Sequence, residues 1–251
     1  MHDTHDPLIE SEEELGESPA RRRPVIAIDG PAGAGKSTMA AHLARRFGFL
    51  NLETGAMYRA LALKAIEYDL GFEDEDALMD IASRTKILLE PQMEGNRVLL
   101  DGMDVSRRVR DTDVTAAASQ VSVHPRLRTW MVDQQRLLGE RGGVVMEGRD
   151  IGTVVFPDAE VKIFLDAAPE VRGNRRYKQT MPGEAAPVKV TEDSIVQELK
   201  ERDARDRNRA DSPLRPAADA VILDSTAMTL EDVLTAAEQV VRKHLEERKL
   251  H

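Results

Sequence analysis

Val25–Thr38, VIAIDGPAGAGKST, constrains this chain more than any other stretch. Val25 to Ile28 is a short apolar run of the kind that forms a strand buried on both faces of a parallel sheet. Gly30 to Ser37 matches G-x-x-x-x-G-K-[ST] at every fixed position. Met39 to Phe47 then carries helical apolar spacing. Strand, glycine loop and helix in that order demand an α/β fold and form a phosphate-binding loop. Gly30, Gly33 and Gly35 let backbone come close to a phosphate, and Pro31, Ala32 and Ala34 belong to the same expected nucleotide-binding loop. Its N–H groups converge at a helix N-terminus, where an anion is favoured. Lys36 can reach the β and γ phosphates, Ser37 is the expected Mg²⁺ ligand, and Thr38 completes the set expected to hold a nucleoside triphosphate.

The bulk numbers bound the rest. A chain of 251 residues is long enough for one large domain with an inserted subdomain. It has no cysteine, which excludes disulfides and thiolate metal sites and suits a reducing compartment. No stretch has the length of a membrane span, and the start lacks a basic-then-apolar signal pattern. A cytoplasmic protein with no membrane partner is expected. The net charge of −10 resides largely in residues 1–20, which hold seven acids and no Lys or Arg; beyond them 38 acidic residues face 35 basic ones. Residues 1–23 are expected to form a disordered acidic tail. Arginines cluster at 107–110, 172–176 and 202–209. Clustered arginine in a balanced protein points to a small phosphorylated ligand rather than a nucleic acid, and one Trp offers no stacking platform for a single strand.

The remaining elements follow from periodicity. Strands are expected at 49–53, 144–146, 161–165 and 220–223, with helices at 56–68, 73–83, 114–123, 125–140, 169–177, 191–209 and 229–248. Short runs at 86–90, 97–101 and 103–105, punctuated by Gly95-Asn96 and Asp101-Gly102 as turn signals, predict a small antiparallel sheet inserted over roughly 85–108. The expected fold is thus a five-stranded parallel sheet flanked by helices, with an insertion and a short lid. Thr54 ends a strand. Tyr58 and Arg59 follow in the first turn of a helix, an unfavourable place for a cation unless an anion is clamped there. Glu147-Gly148-Arg149-Asp150 lies at the carboxyl end of a strand, where open α/β sheets bind ligands. Arg202, Asp206 and Arg209 are spaced to share one helix face. That spacing also suits a solvated salt-bridge ladder. The loose stretch 180–189, beside Arg172, Arg175 and Arg176, has the composition of a mobile phosphate-covering loop.

GPAGAGKST, TGAMYR, AASQVSVHPRLR, GRDIGTVVFPDAEVKIFLDA and RDARDRNRADSPLRPAADAVILDST together resemble the bacterial cytidylate kinase family, from about Val25 to the C-terminus. The resemblance implies a nucleoside monophosphate kinase domain over 24–251. Its core would be 24–53, 141–171 and 210–251, its monophosphate-binding insertion 54–140, and its lid about 172–190. It implies transfer of the γ-phosphate of ATP to CMP or dCMP with Mg²⁺. Thr54, Tyr58 and Arg59 match the monophosphate-binding turn and helix. Ser119 and Arg128 match residues that meet the cytosine, and Asp150 a carboxylate that accepts from its amino group. Arg149 and Arg209 match phosphate-binding arginines; Arg202 and Asp206 match positions at the ribose. Lys36, Arg149 and Arg209 are the expected catalytic cations, and Arg175 is assigned to ATP. Thr54, Glu53 and Glu147 stand where the family more often has serine, aspartate and aspartate, and Ser37 where some members have glycine. A different acceptor, such as UMP, AMP or shikimate, remains open at this point. A GTPase-type switch is disfavoured by the lack of N-K-x-D. A monomer is expected.

Overall fold

The computed structural model describes residues 23–92, 95–180 and 191–249. The expected acidic tail before Arg23 and the expected lid loop over 181–190 lie outside the described residues. In chain order the elements are β1 Val25–Asp29, α1 Lys36–Phe47, β2 Leu50–Glu53, α2 Thr54–Glu67, α3 Glu75–Ser83, β3 Ile87–Gln92, β4 Gly95–Leu100 and β5 Met103–Asp104. Then follow α4 Thr112–Val121, α5 Pro125–Gly139, β6 Val144–Gly148, β7 Val161–Asp166, α6 Pro169–Thr180, α7 Glu192–Asn208, β8 Val221–Asp224 and α8 Leu230–Lys249. A 3₁₀ turn at Arg108–Arg110 and a π-helical turn at Ile151–Val155 complete the path.

Five strands form one parallel sheet in the order β2-β6-β1-β7-β8, and β3-β4-β5 form a separate antiparallel sheet. β1 is fully buried because period-two alternation sends its side chains into two cores. Val25 and Ala27 join Val144, Met146 and the apolar residues of α2, α4 and α5 on one face. Ile26 and Ile28 join Val145, Val161 and Ile163 under α1 and α8 on the other, where Leu43, Ala237 and Val241 close the layer. The carboxyl ends of β1, β2 and β6 therefore emerge side by side, with their loops above the sheet edge.

Two local expectations shift. Gly95 and Asn96 are not turn residues: Gln92 pairs with Gly95 and Pro91 with Asn96, so both lie in β4. Asp101 and Gly102 do form a turn, both at positive φ. α1 starts at Lys36, earlier than apolar spacing alone predicted, because Gly35 at φ 102° ends the loop in the left-handed region and no side chain caps the helix.

α6 and α7 pack as an antiparallel pair. A Cβ added at Gly173 would lie 2.3 Å from Val196 Cγ2, so the absence of a side chain sets their separation. Gly173→Ala should force the two helices apart and cost about 1–3 kcal/mol in urea unfolding. A loss of under 0.5 kcal/mol would show that the pair tolerates a wider spacing.

Candidate active site

A cavity of about 700 Å³ opens over the carboxyl ends of the sheet. Its lining begins in the glycine loop with Ala32, Gly33, Ala34, Gly35, Lys36, Ser37 and Thr38, and continues with Thr54, Tyr58, Arg59, Arg128, Arg149, Asp150, Arg175, Arg202, Asp206 and Arg209. Gly30, Pro31 and Ser119 are the predicted site residues that do not line it. Gly30 sits below, pressed on β7: a Cβ there would fall 2.0 Å from the Leu165 carbonyl oxygen. The Pro31 carbonyl accepts from Lys36 Nζ at 2.7 Å. Ser119 is buried on α4, its hydroxyl accepting from Arg205 Nε at 3.3 Å.

Lys and Arg outnumber the lining carboxylates, which are Glu53, Glu147, Asp150 and Asp206. Each carboxylate is engaged. Asp206 accepts from Arg149 Nε at 3.0 Å, with Arg209 Nη1 at 3.8 Å. Its pKa stays below the usual range although burial opposes this, because Arg149, Arg202 and Arg209 surround it. Asp150 accepts from Arg128 Nη2, and both side chains are nearly inaccessible. Arg128 also lies 5.8 Å from the Tyr58 ring centroid. Glu53 accepts from Arg59, so the cation in the first turn of α2 already holds a counter-charge. Burial drives Glu147 up and Lys36 down, with Glu53 and Arg149 each adding like-charge repulsion. Burial and Arg149 bring Arg202 down to about 10.

Arg202, Asp206 and Arg209 all line the cavity, Arg209 as the extended residue that follows α7. They form no solvated ladder: Asp206 is buried and pairs across to the loop after β6.

The three arginines of α6 have separate surroundings. Arg172 is 1% exposed and does not line the cavity. It donates to the carbonyls of Ala167 and Ala32, both at 2.8 Å, and to Asp203 Oδ2 at 2.6 Å. It is therefore a bolt joining the glycine loop to α6 and α7, and is the one of the three α6 arginines that does not line the cavity. Arg175 donates to Ser225 Oγ at 3.0 Å and Ser225 O at 2.8 Å. Arg176 lines the cavity 3.6 Å from Glu198.

Several lining residues escaped sequence reasoning. Met228, Leu230, Val233 and Leu234 give the lining an apolar part, close in the chain to Ser225, which Arg175 holds. Their signal was the carboxyl end of β8, the same rule that marked Arg149 and Asp150. Arg110, Thr115 and Ser122 also line the cavity; only the arginine cluster at 107–110 pointed there. Asp29 was missed entirely. It is buried at the end of β1 and accepts from the N–H groups of Ile151 and Gly152, both at 2.8 Å. It thereby ties the start of the glycine loop to the turn that follows Arg149 and Asp150.

Burial pushes the Asp29 carboxyl up to about 6 from 3.8, against the pull of its two backbone donors. The neutral form is favoured in the folded state, so this contribution to stability is full below the unfolded value and is lost as pH rises through about 6. Unfolding free energy of wild type relative to Asp29→Asn should therefore fall by about 1.4 kcal/mol between pH 5 and pH 7.5; a flat difference would overturn the shift. Arg172→Met strands Asp203, whose Oδ1 already lacks a partner. It should cost about 3–5 kcal/mol by denaturant titration, whereas a loss below 1 kcal/mol would remove the bolt's role.

Comparison with known proteins assigns this arrangement to a family. The family model described as Cytidylate kinase matches residues 26–243. The chain is 48% identical over 225 residues to the cytidylate kinase of Solibacter usitatus, covering 90% of this chain and 95% of that one. It is 50% identical over 212 residues to the cytidylate kinase of Pelotomaculum thermopropionicum, covering 84% and 92%. With the cytidylate kinase of Vibrio cholerae it shares 45% identity over 222 residues, covering 88% and 97%. A glycine loop at the end of β1, an arginine-rich cavity above it and matches spanning most of both chains give one conclusion: this chain belongs to the cytidylate kinase family.

Proposed function

We propose that this chain transfers the γ-phosphoryl group of ATP to CMP and dCMP, forming ADP and CDP or dCDP. The single observation that carries the reading is the joining of the glycine loop and the Arg128–Asp150 pair in one cavity. The loop suits a triphosphate, and the apolar part at Met228, Leu230 and Val233 suits the donor base. Elsewhere in the cavity, a buried carboxylate can accept from the exocyclic amino group of cytosine, which is a donor. Uracil presents a carbonyl there and would face that carboxylate with a second acceptor.

The reaction asks for positioning and charge neutralisation rather than a proton acceptor, because a monophosphate is already an oxyanion at neutral pH. Lys36, Arg149 and Arg209 are proposed to neutralise the phosphoryl oxygens. Thr54, Tyr58 and Arg59 would hold the acceptor phosphate from the start of α2. Ser119 and Arg128 would meet the base with Asp150. Arg202 and Asp206 would meet the ribose, and Arg175, fixed to Ser225, would lie along the donor.

The residues also fit a magnesium ion. Ser37 contributes a hydroxyl that lines the cavity with Glu147, and Glu147 Oε1 is a buried oxygen with no hydrogen-bond partner. These are hard oxygen donors, and no cluster of three or more His, Cys, Asp or Glu able to form a closed protein cage occurs among the described residues. That is the donor set of an ion that keeps waters and takes phosphate oxygens. Ser37 and Glu147 would hold it, and bound there it would supply charge neutralisation on the phosphates. No helix among the described residues is long and apolar enough to cross a membrane. A monomer working on small nucleotides in the cytoplasm completes the proposal.

The test is phosphoryl transfer from ATP with Mg²⁺ to CMP, dCMP, UMP, AMP and GMP, beside a no-acceptor control. CMP and dCMP should turn over far faster than the purine nucleotides. Asp150→Ala should lower kcat/KM for CMP by about 100-fold while ATP affinity stays within about threefold. Equal losses for donor and acceptor would remove the base-reading role. ATP hydrolysis indifferent to every acceptor would remove the kinase reading.

A further inference from the structure

β2 is an edge strand of the parallel sheet, with β6 on its inner side alone. Leu50 N–H donates inward to the Gly143 carbonyl. By alternation, the C=O of Asn51 and the N–H of Glu53 point outward from the sheet. An edge left this way exposes backbone polar groups that need partners once covered. They are covered here by the antiparallel sheet, and among the described residues no further strand pairs with β2 on this side. One side chain does. Asn96 Oδ1 accepts from Glu53 N–H at 2.8 Å, and Asn96 Nδ2 donates to Asn51 O at 2.7 Å. Nδ2 also reaches the carbonyl of Gly95 at 3.2 Å. A carboxamide carries one acceptor and one donor side by side, as a strand backbone does, so Asn96 substitutes for one missing bridge of the sheet. It is buried, which makes both bonds costly to lose.

The residue held in this way matters to the site. Glu53 ends β2 and immediately precedes α2, its side chain pairs with Arg59, and Thr54 follows it with its hydroxyl donating to the Glu147 carbonyl. We infer that Asn96 is a positioning residue for the acceptor phosphate: through one carboxamide the antiparallel sheet holds the β2–α2 turn that presents Thr54, Tyr58 and Arg59 to the cavity. The inference rests on the proposed acceptor role of that turn. Asn96 does not line the cavity and would touch no substrate.

The sheet has other anchors, so the proposal is separable from folding. Leu89, Val98 and Leu100 are buried in the main core, and Lys64 Nζ on α2 bonds Asp101 Oδ2 at 2.6 Å. Asn96→Asp keeps the acceptor for Glu53 but sets a carboxylate oxygen against the Asn51 carbonyl. Asn96→Leu removes both bonds at similar volume. Asp101→Asn weakens a different tie between the same sheet and α2, away from the turn, and Asn tolerates the positive φ of that position.

Two measurements on the full chain decide the matter. Amide hydrogen exchange in the protein without nucleotide reads the bond itself: Asn96→Leu should speed exchange at Glu53 at least about tenfold relative to wild type, and Asp101→Asn should leave it within about twofold. Steady-state kinetics reads the consequence: both Asn96 variants should raise KM for CMP about tenfold, with kcat within about threefold and ATP affinity within about twofold. Unchanged exchange at Glu53, an equal loss of donor and acceptor affinity, or the same KM rise in Asp101→Asn would each overturn the inference. If wild type turns over no CMP, the proposed function falls instead, and the positioning of the turn is then decided by the exchange arm alone.

Discussion

The structure depends on holding like charges together out of water. Lys36, Arg149, Arg202 and Arg209 share one cavity, and two unit charges 4 Å apart repel by about 4 kcal/mol at a protein-like effective dielectric of 20. The depressed Lys36 and Arg202 record that repulsion together with their burial. Asp206, Asp150 and Glu147 make the cluster tolerable, each buried beside the cation it balances. A polyphosphate brings additional negative charge to such a place, so the same electrostatics that costs stability favours an anionic ligand.

That cluster needs walls that do not move. β1 supplies them by being buried on both faces, so that its final residue, Asp29, is placed with the sheet. From Asp29 two backbone bonds reach the turn after Asp150. From the glycine loop, Ala32 O is held by Arg172, which also grips Asp203 of α7. The glycine loop, the end of β6 and α7 are thus joined through Asp29, Arg172 and Asp203, side chains that do not themselves line the cavity. Asn96 extends the principle to the antiparallel sheet, where a side chain completes an edge that backbone leaves open.

Much of this was legible in residues. The glycine loop was readable because Gly30, Gly33 and Gly35 sit at positive φ, a conformation that other residues rarely adopt. The five strands were readable because apolar runs of four to six residues flanked by turn residues have few alternatives. Arg202, Asp206 and Arg209 were readable as one face because helix geometry is periodic, yet spacing alone could not separate a cavity face from a solvated ladder. Which of Arg172, Arg175 and Arg176 lines the cavity stayed open for a related reason: the three are chemically identical, and only the packing of α6 on α7 decides which guanidinium is buried away from it. Gly95-Asn96 was misread because it has the composition of a hairpin turn, whereas the hairpin register sets both residues inside β4. Asp29 and Asn96 gave no sequence signal, since their partners lie 122 and 45 positions away.

The sequence by itself determined what is local and steric: the phosphate-binding loop, the α/β alternation, the helix faces, and through its motifs the family. Those depend on glycine conformation, side-chain periodicity and short-range hydrogen bonding, which neighbouring residues settle among themselves. Tertiary structure alone decided which arginines face the cavity, which carboxylates balance them, and which side chains bind the β2–α2 turn and the glycine loop to the rest. Those outcomes turn on strand order and burial, which set dielectric and distance between residues far apart in the chain.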